Sequence, residues 1–164
     1  MTRNTLSPLI KGIITATVML GLSLAFLFTG IYEENSNLVY SVNVAYAAGI
    51  IWTIISFARA NPGERTFSKL FNQGFRCFII VTLIMVVYTA IVFNLHPEWA
   101  DQAAEQYAKG LLNEVDRNPE ERKRMVEEAK KGFVVSNIAQ AIFGYLISGA
   151  VIAAVVSGLL IRRK

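Results

Sequence analysis

The sequence predicts an all-α integral membrane protein with four transmembrane helices. Hydrophobic residues make up 54% of the 164 residues, and the mean hydropathy is +0.43, which is high for a soluble domain. Four stretches carry no charge, namely 12–32, 35–58, 77–97 and 132–161. Each supplies the roughly 20 apolar residues that a helix needs to cross a hydrocarbon layer about 30 Å thick. A soluble bundle is excluded because its helices would show a polar face at every turn.

The distribution of charge predicts the orientation of the spans. One side, made of Arg3, Lys11, residues 59–76 and the last three residues, holds nine basic residues and one acidic residue. The other side holds seven basic and eleven acidic residues. Since the basic side of a membrane protein faces the cytoplasm, both termini are predicted inside. The sequence pI near 9.3 follows from this topology, and no nucleic-acid partner is expected.

Spans one and two, predicted at 9–31 and 38–58, are joined by a short polar outer turn and should be antiparallel neighbours. Both carry small residues four apart, a spacing that lets helix backbones approach closely. In span two these residues are Ser41, Ala45 and Gly49. Asn43 is predicted within the membrane, where its amide should bond a neighbouring helix.

A short amphipathic helix is predicted at the cytoplasmic interface, just before span three. Its apolar residues stand at helical spacing, and they are Phe67, Leu70, Phe71 and Phe75. Lys69 and Arg76 lie opposite and favour anionic head groups. The segment is expected to anchor the bundle, with a docking face for a cytoplasmic partner as the alternative.

Span three, at 77–95, is followed by an outer helical hairpin at 97–131, inserted in what is otherwise a single four-span domain over 1–164. The pattern is helical from Glu98 to Arg117. A second outer helix should begin at Pro119, because Asn118 is a capping residue and proline suits the first helical position.

Span four, at 132–161, offers the best surface for helix contact. One ridge consists of Gly149, Ala153 and Ser157, and a second of Gly144 and Ser148. The span is longer than a membrane requires, so the turns around Asn137 and Gln140 should project outward or the helix should tilt.

The segment 66–76 leading into span three, together with the aromatic and proline exit at 93–99, resembles the bacterial domain-of-unknown-function 4199 family. The resemblance covers nearly the full length. It implies a four-span fold with a helical outer segment between spans three and four, and a bacterial inner-membrane location. It implies no activity and no functional residues.

The sequence contains no pattern that predicts catalysis, a cofactor or a metal site. Its one histidine, His96, and its one cysteine, Cys77, are predicted on opposite sides of the membrane. We therefore expect a non-enzymatic accessory or scaffold subunit of a larger membrane complex, in contact with lipids and with a membrane-protein partner or a second copy. The alternative is a small homo-oligomeric carrier of lipid or amphipathic solute, whose polar groove would use Asn43, Asn137, Gln140, Ser148 and Ser157.

Overall fold

A computed structural model of the chain describes residues 6–29, 36–112 and 118–162. Within these ranges the chain is helical without any strand, and its five α-helices are Pro8–Thr29 (α1), Ser36–Ala60 (α2), Phe67–Leu95 (α3), Glu98–Leu112 (α4) and Pro119–Arg162 (α5). A single 3-10 turn covers Pro62–Glu64. Most of the predicted outer turn after span one, the predicted end of the first outer helix at 113–117, and the terminal basic residues Arg3, Arg163 and Lys164 lie outside the described residues.

Four of these helices are long and apolar enough to cross a membrane, and they are Pro8–Thr29, Tyr40–Ala60 within α2, Phe67–Leu95 and Pro119–Ile161. An apolar helix of this length can cross lipid because its backbone N–H and C=O groups form hydrogen bonds with each other within the segment. The four apolar helices therefore mark the chain as a membrane protein. Which side of the membrane each end faces stays a prediction.

Local sequence explains where α1 begins and where α2 ends. Ser7 precedes Pro8, and its hydroxyl accepts a hydrogen bond from the Ile10 amide at 3.3 Å, which satisfies one free donor of the first turn of α1. At the end of α2, the Arg65 side chain donates from Nε to the Ala58 carbonyl at 2.9 Å. That bond satisfies one of the carbonyls that a helix end leaves without a partner.

The predicted interfacial helix and span three form one uninterrupted helix, α3, of 29 residues. Thr66 precedes it and accepts a hydrogen bond from the Lys69 amide at 3.4 Å. No proline lies inside the segment, and its one glycine, Gly74, does not interrupt it.

The second arm of the predicted hairpin and span four were expected as separate elements, and this is a correction: they are one helix, α5, of 44 residues. Its start agrees with the predicted cap, because the Asn118 side-chain oxygen accepts a hydrogen bond from the Glu120 amide at 3.2 Å. The change from charged to apolar composition near Gly132 does not end the helix, because a lone glycine costs only about 1 kcal/mol and no proline follows. The charged first part of α5 therefore continues directly into its apolar part.

The chain divides into two compact units. The first unit comprises Met1–Met85 with Phe143–Lys164, and the second comprises Val86–Ile142. In the first unit, segments of α1, α2, α3 and α5 pack around fully buried side chains that include Tyr46, Phe78, Met19, Ile50 and Ile54. In the second unit, the end of α3, the whole of α4 and the first part of α5 come together, with Ala104 and Leu111 of α4 buried.

Candidate functional site

A seam of polar side chains crosses the first unit where α1, α2 and α3 meet. Its charged member is Lys11, only 3% exposed, whose ammonium donates to the Ser56 hydroxyl and lies 5.4 Å from the centre of the Trp52 ring. Ser56 in turn donates to the Thr53 carbonyl at 3.0 Å. The charge pattern predicts Lys11 among the basic residues that flank span one, whereas the structure places it inside α1 and buries it.

The seam continues to the one cysteine. Cys77, fully buried, has its sulfur 3.4 Å from the Thr53 hydroxyl oxygen, and that hydroxyl donates to the Gly49 carbonyl at 2.9 Å. On α1 the Thr15 hydroxyl donates to the Lys11 carbonyl at 2.8 Å. Each hydroxyl thus bonds its own helix while its side chain packs against a neighbouring one, so the seam aligns three helices without leaving its hydroxyl donors unsatisfied.

The signal that could have revealed this seam is the spacing of small and hydroxyl residues. Lys11 and Thr15 are four apart on α1, as are Gly49 and Thr53 on α2, and Ser56 follows one turn later. Residues three and four apart share one helix face. This spacing predicts the small-residue ridges of the spans, and it applies equally to a charged residue on the same helix face, such as Lys11.

Close helix approach in the first unit depends on three glycines of α1, α2 and α3, in addition to one glycine of α5. A Cβ at Gly12 would lie 2.9 Å from the Cys77 carbonyl oxygen, and one at Gly49 would overlap the Thr15 side chain. A Cβ at Gly74 would lie 2.8 Å from Ile54 Cδ1. Any side chain at these positions would force the paired helices apart.

The two small-residue ridges of α5 face different surroundings. On the first, a Cβ at Gly149 would lie 2.7 Å from Phe78 Cγ and would overlap the Tyr46 hydroxyl, and Ala153 is fully buried. Tyr46 donates that hydroxyl to the Tyr145 carbonyl at 2.8 Å, and the two tyrosine rings meet edge to face. This ridge is therefore occupied by the chain's own helices α2 and α3.

The second ridge is exposed. A Cβ at Gly144 would meet nothing within 4 Å, and Ser148 lies exposed one turn further on. The Ser148 hydroxyl donates to the Gly144 carbonyl at 2.6 Å, so the ridge offers a smooth surface with its polar group already satisfied. Phe143 and Ile147, which are 64% and 63% exposed, flank it.

The remaining polar residues predicted within the membrane differ in their burial and in their hydrogen bonds. In the first unit, Ser157 is fully buried and its hydroxyl has no hydrogen-bond partner, whereas Asn43 is exposed. In the second unit, Asn137 donates its amide to the Phe133 carbonyl at 2.8 Å, and Gln140 is exposed. Of the predicted small residues of span two, Gly49 is buried while Ser41 and Ala45 are half-buried.

The first turns of α3 carry a ladder of phenylalanine rings. Phe67 stacks on Phe71 with ring centres 5.7 Å apart, and Phe71 stacks on Phe75 at 6.2 Å. Leu70, on the same helix, is fully buried in the core. Lys69 forms an ion pair with Glu64 at 2.9 Å. Arg76, the last residue of the predicted interfacial helix, is exposed.

An aromatic cluster joins the three helices of the second unit. Phe93 of α3 meets both Trp99 of α4 and Phe133 of α5 edge to face, with ring centres 5.6 and 5.4 Å apart. His96 stacks on Trp99 at 4.5 Å. The same His96 ring lies 2.7 Å from the Glu98 carboxylate, and this hydrogen bond holds the pKa of Glu98 below its usual value.

A groove of about 540 Å³ runs between α4 and the first turns of α5, entirely within the second unit. Ala108, Pro119 and Val126 form its apolar floor. Its charged lining consists of Arg122, Lys123, Lys130 and Glu127. The Glu127 carboxylate is paired with Lys131 at 2.8 Å, and Lys130 pairs with Asp101 of α4.

Across residues 6–29, 36–112 and 118–162, no group of three or more His, Cys, Asp or Glu side chains is placed to hold a metal ion.

Comparison with known proteins identifies one relationship. The family model described as "Protein of unknown function (DUF4199)" matches residues 9–163. No curated protein and no solved structure matches the chain.

Proposed function

The chain belongs to the DUF4199 family of proteins of unknown function, and from its surfaces we propose that it is a small non-enzymatic accessory or scaffold subunit of a larger membrane complex. The proposal includes a bacterial inner-membrane location, with both termini and the start of α3 on the cytoplasmic side. Its partner is a membrane protein or a second copy, in a shell of membrane lipids.

The observation that carries this proposal is the contrast between the two ridges of α5. The ridge at Gly149 is filled by Tyr46 and Phe78, whereas the ridge at Gly144 and Ser148 is open. Association of helices in lipid depends on close van der Waals contact, because lipid tails are as apolar as the helices themselves. An exposed small-residue ridge flanked by large apolar side chains is the surface that best supports such contact.

The phenylalanine ladder at Phe67, Phe71 and Phe75 supports a second attachment. Phe67 and Phe75 are exposed apolar rings beside the charged residues Lys69 and Arg76. Aromatic and basic side chains together are favoured where a helix enters the head-group region of a membrane. The ladder would fix the depth of the subunit in the bilayer while the α5 ridge meets the partner.

The test is a pull-down of the tagged chain from native membranes in mild detergent, with mass spectrometry and mass determination of the intact complex. Gly144→Leu would cover the exposed ridge, and Gly21→Leu is the matched control, because Gly21 is also exposed with nothing within 4 Å of an added Cβ. We expect a stoichiometric partner or second copy with the native chain and with the control, and its loss with Gly144→Leu. A native chain that purifies alone as a monomer would refute the proposal.

A second candidate function is a homo-oligomeric binder or carrier of lipid or amphipathic solute. The observation that favours it is the groove of the second unit, because an apolar floor with charged side chains at its edge suits a molecule with an apolar and a polar end.

A further inference from the structure

We propose that the groove of the second unit binds a single-chain anionic lipid, a long-chain fatty-acid anion that enters from the adjoining membrane. This inference rests on the second candidate function and names the ligand class and the site.

The size and shape of the groove fit one acyl chain. Its volume of about 540 Å³ lies in the range of roughly 300–1,000 Å³ that small-molecule sites occupy. It follows one face of α5 from Pro119 to Lys130, a rise of about 16 Å. Ala108 of α4 and Val126 of α5 both line the groove, so an acyl chain in it would contact apolar side chains of the two helices. A volume within this range suits one acyl chain, whereas a phospholipid carries two chains and is larger.

The charges of the lining select the head group. Three of the four charged residues are basic, and the carboxylate of the fourth, Glu127, is paired with Lys131. Lys130 pairs with Asp101, whereas Lys123 forms no ion pair with any residue that the structure describes. A carboxylate at the groove would therefore meet a cation beside an apolar wall, where the attraction between charges exceeds that in bulk water. A neutral amphiphile of the same length gains nothing from these charges.

The position of the groove along α5 indicates where its ligand comes from. Lys130 lies two residues before the uncharged stretch 132–161 of the same helix. The groove thus ends at the boundary where α5 passes from charged to apolar composition. A fatty-acid anion in the bilayer keeps its carboxylate at this boundary, where the basic residues of the groove can attract it.

The test uses the full-length chain in micelles of a neutral detergent and two photoreactive probes. One is palmitate with a diazirine near the chain end, and the other is the corresponding alcohol. Ala108→Phe fills the groove, and Ala129→Phe is its control on an exposed position outside the lining. Lys123→Glu reverses a lining charge, and Arg124→Glu makes the same charge change at an exposed residue that does not line the groove.

We expect palmitate to label the groove of the native chain, with labelling at low probe concentration about tenfold above that by the alcohol. Ala108→Phe should lower labelling about tenfold and Lys123→Glu about fivefold, while both controls should stay within about twofold of the native chain. Equal groove labelling by the two probes would overturn the anionic head group and leave lipid binding standing. Labelling by palmitate that Ala108→Phe does not reduce would overturn the groove as the site. Absence of labelling by both probes would overturn this inference together with the second candidate function.

Discussion

The contrast between the two faces of α5 can be tested by placing the same methyl group on each. Gly149→Ala adds a Cβ where it would lie 2.7 Å from Phe78 Cγ and would overlap the Tyr46 hydroxyl. Gly144→Ala adds the same atom where nothing lies within 4 Å. The two substitutions sit on one helix and are chemically identical, so any difference in stability comes from tertiary packing.

The expected magnitude for Gly149→Ala has three contributions. Overpacking a filled core costs about 1–3 kcal/mol. Displacing Tyr46 weakens its 2.8 Å bond to the Tyr145 carbonyl, which costs about 1–3 kcal/mol if the hydroxyl is left unsatisfied. The gain in helix propensity from glycine to alanine returns about 0.5–1 kcal/mol. We expect a net loss of about 1–5 kcal/mol for Gly149→Ala and a gain of up to about 1 kcal/mol for Gly144→Ala.

The assay is unfolding of the chain in mixed micelles by titration with SDS. Fluorescence is read from Trp52, which lies in the first unit, in a Trp99→Phe background. A double-mutant cycle adds Tyr46→Phe, which removes the atom that the new methyl group would strike. The cost of Gly149→Ala should then fall by about 1 kcal/mol or more, since residues in contact are not additive. Equal stability of the two alanine variants would refute the packing described for α5.

Three further predictions concern the charged residues and the topology. Lys11→Met should leave the free energy of unfolding unchanged or raise it by about 1 kcal/mol. The reason is that the buried Lys11 charge has no acidic partner among the described residues, so the cost of removing it from water exceeds the energy of its remaining contacts. A loss of about 2 kcal/mol in the same SDS titration would contradict this. A thiol reagent that cannot cross the membrane should label Glu121→Cys and miss Gly63→Cys in intact cells, whereas the reverse pattern would invert the orientation. Because the pKa of Glu98 is lowered in the folded chain, its contact with His96 stabilises the fold at pH values above the unfolded pKa, and this stabilisation is lost as the pH falls through the folded pKa. Glu98→Gln should remove this dependence of stability on acidic pH. An NMR titration that gives the Glu98 carboxyl its ordinary pKa would refute the prediction.

Several features of the fold could be predicted from the sequence because they depend on composition over a long segment. An uncharged stretch of about 20 residues has few stable alternatives to a helix in lipid, and so the four apolar helices could be found by length alone. The start of α5 was equally accessible, because Asn118 and Pro119 act on their own helix terminus. The continuity of α5 through Gly132 was missed, since a change in composition looks like a boundary although the backbone hydrogen bonds do not depend on it.

The candidate sites show where such reasoning ends. The spacing of small residues predicts both ridges of α5. It does not show whether a ridge packs against the chain's own helices or is left exposed. The burial of Lys11 was missed for a related reason, because a lysine one turn inside a helix can extend to the head groups or turn inward. The groove of the second unit is lined by Ala108 and by residues more than ten positions further along the chain. No local sequence pattern indicates that these residues lie close together.

From the sequence alone we can predict that this chain is helical, that four segments can span a membrane, and which residues are small enough for close contact. These properties follow from hydropathy, length and spacing, which act within one segment. The packed helices, by contrast, show that Gly149 faces Tyr46 and Phe78 while Gly144 stays exposed, and that Lys11 reaches Ser56 and not solvent. The physical reason is that a side chain's surroundings are set by the neighbouring helices that pack against it, and helix order and rotation are properties of the assembled core.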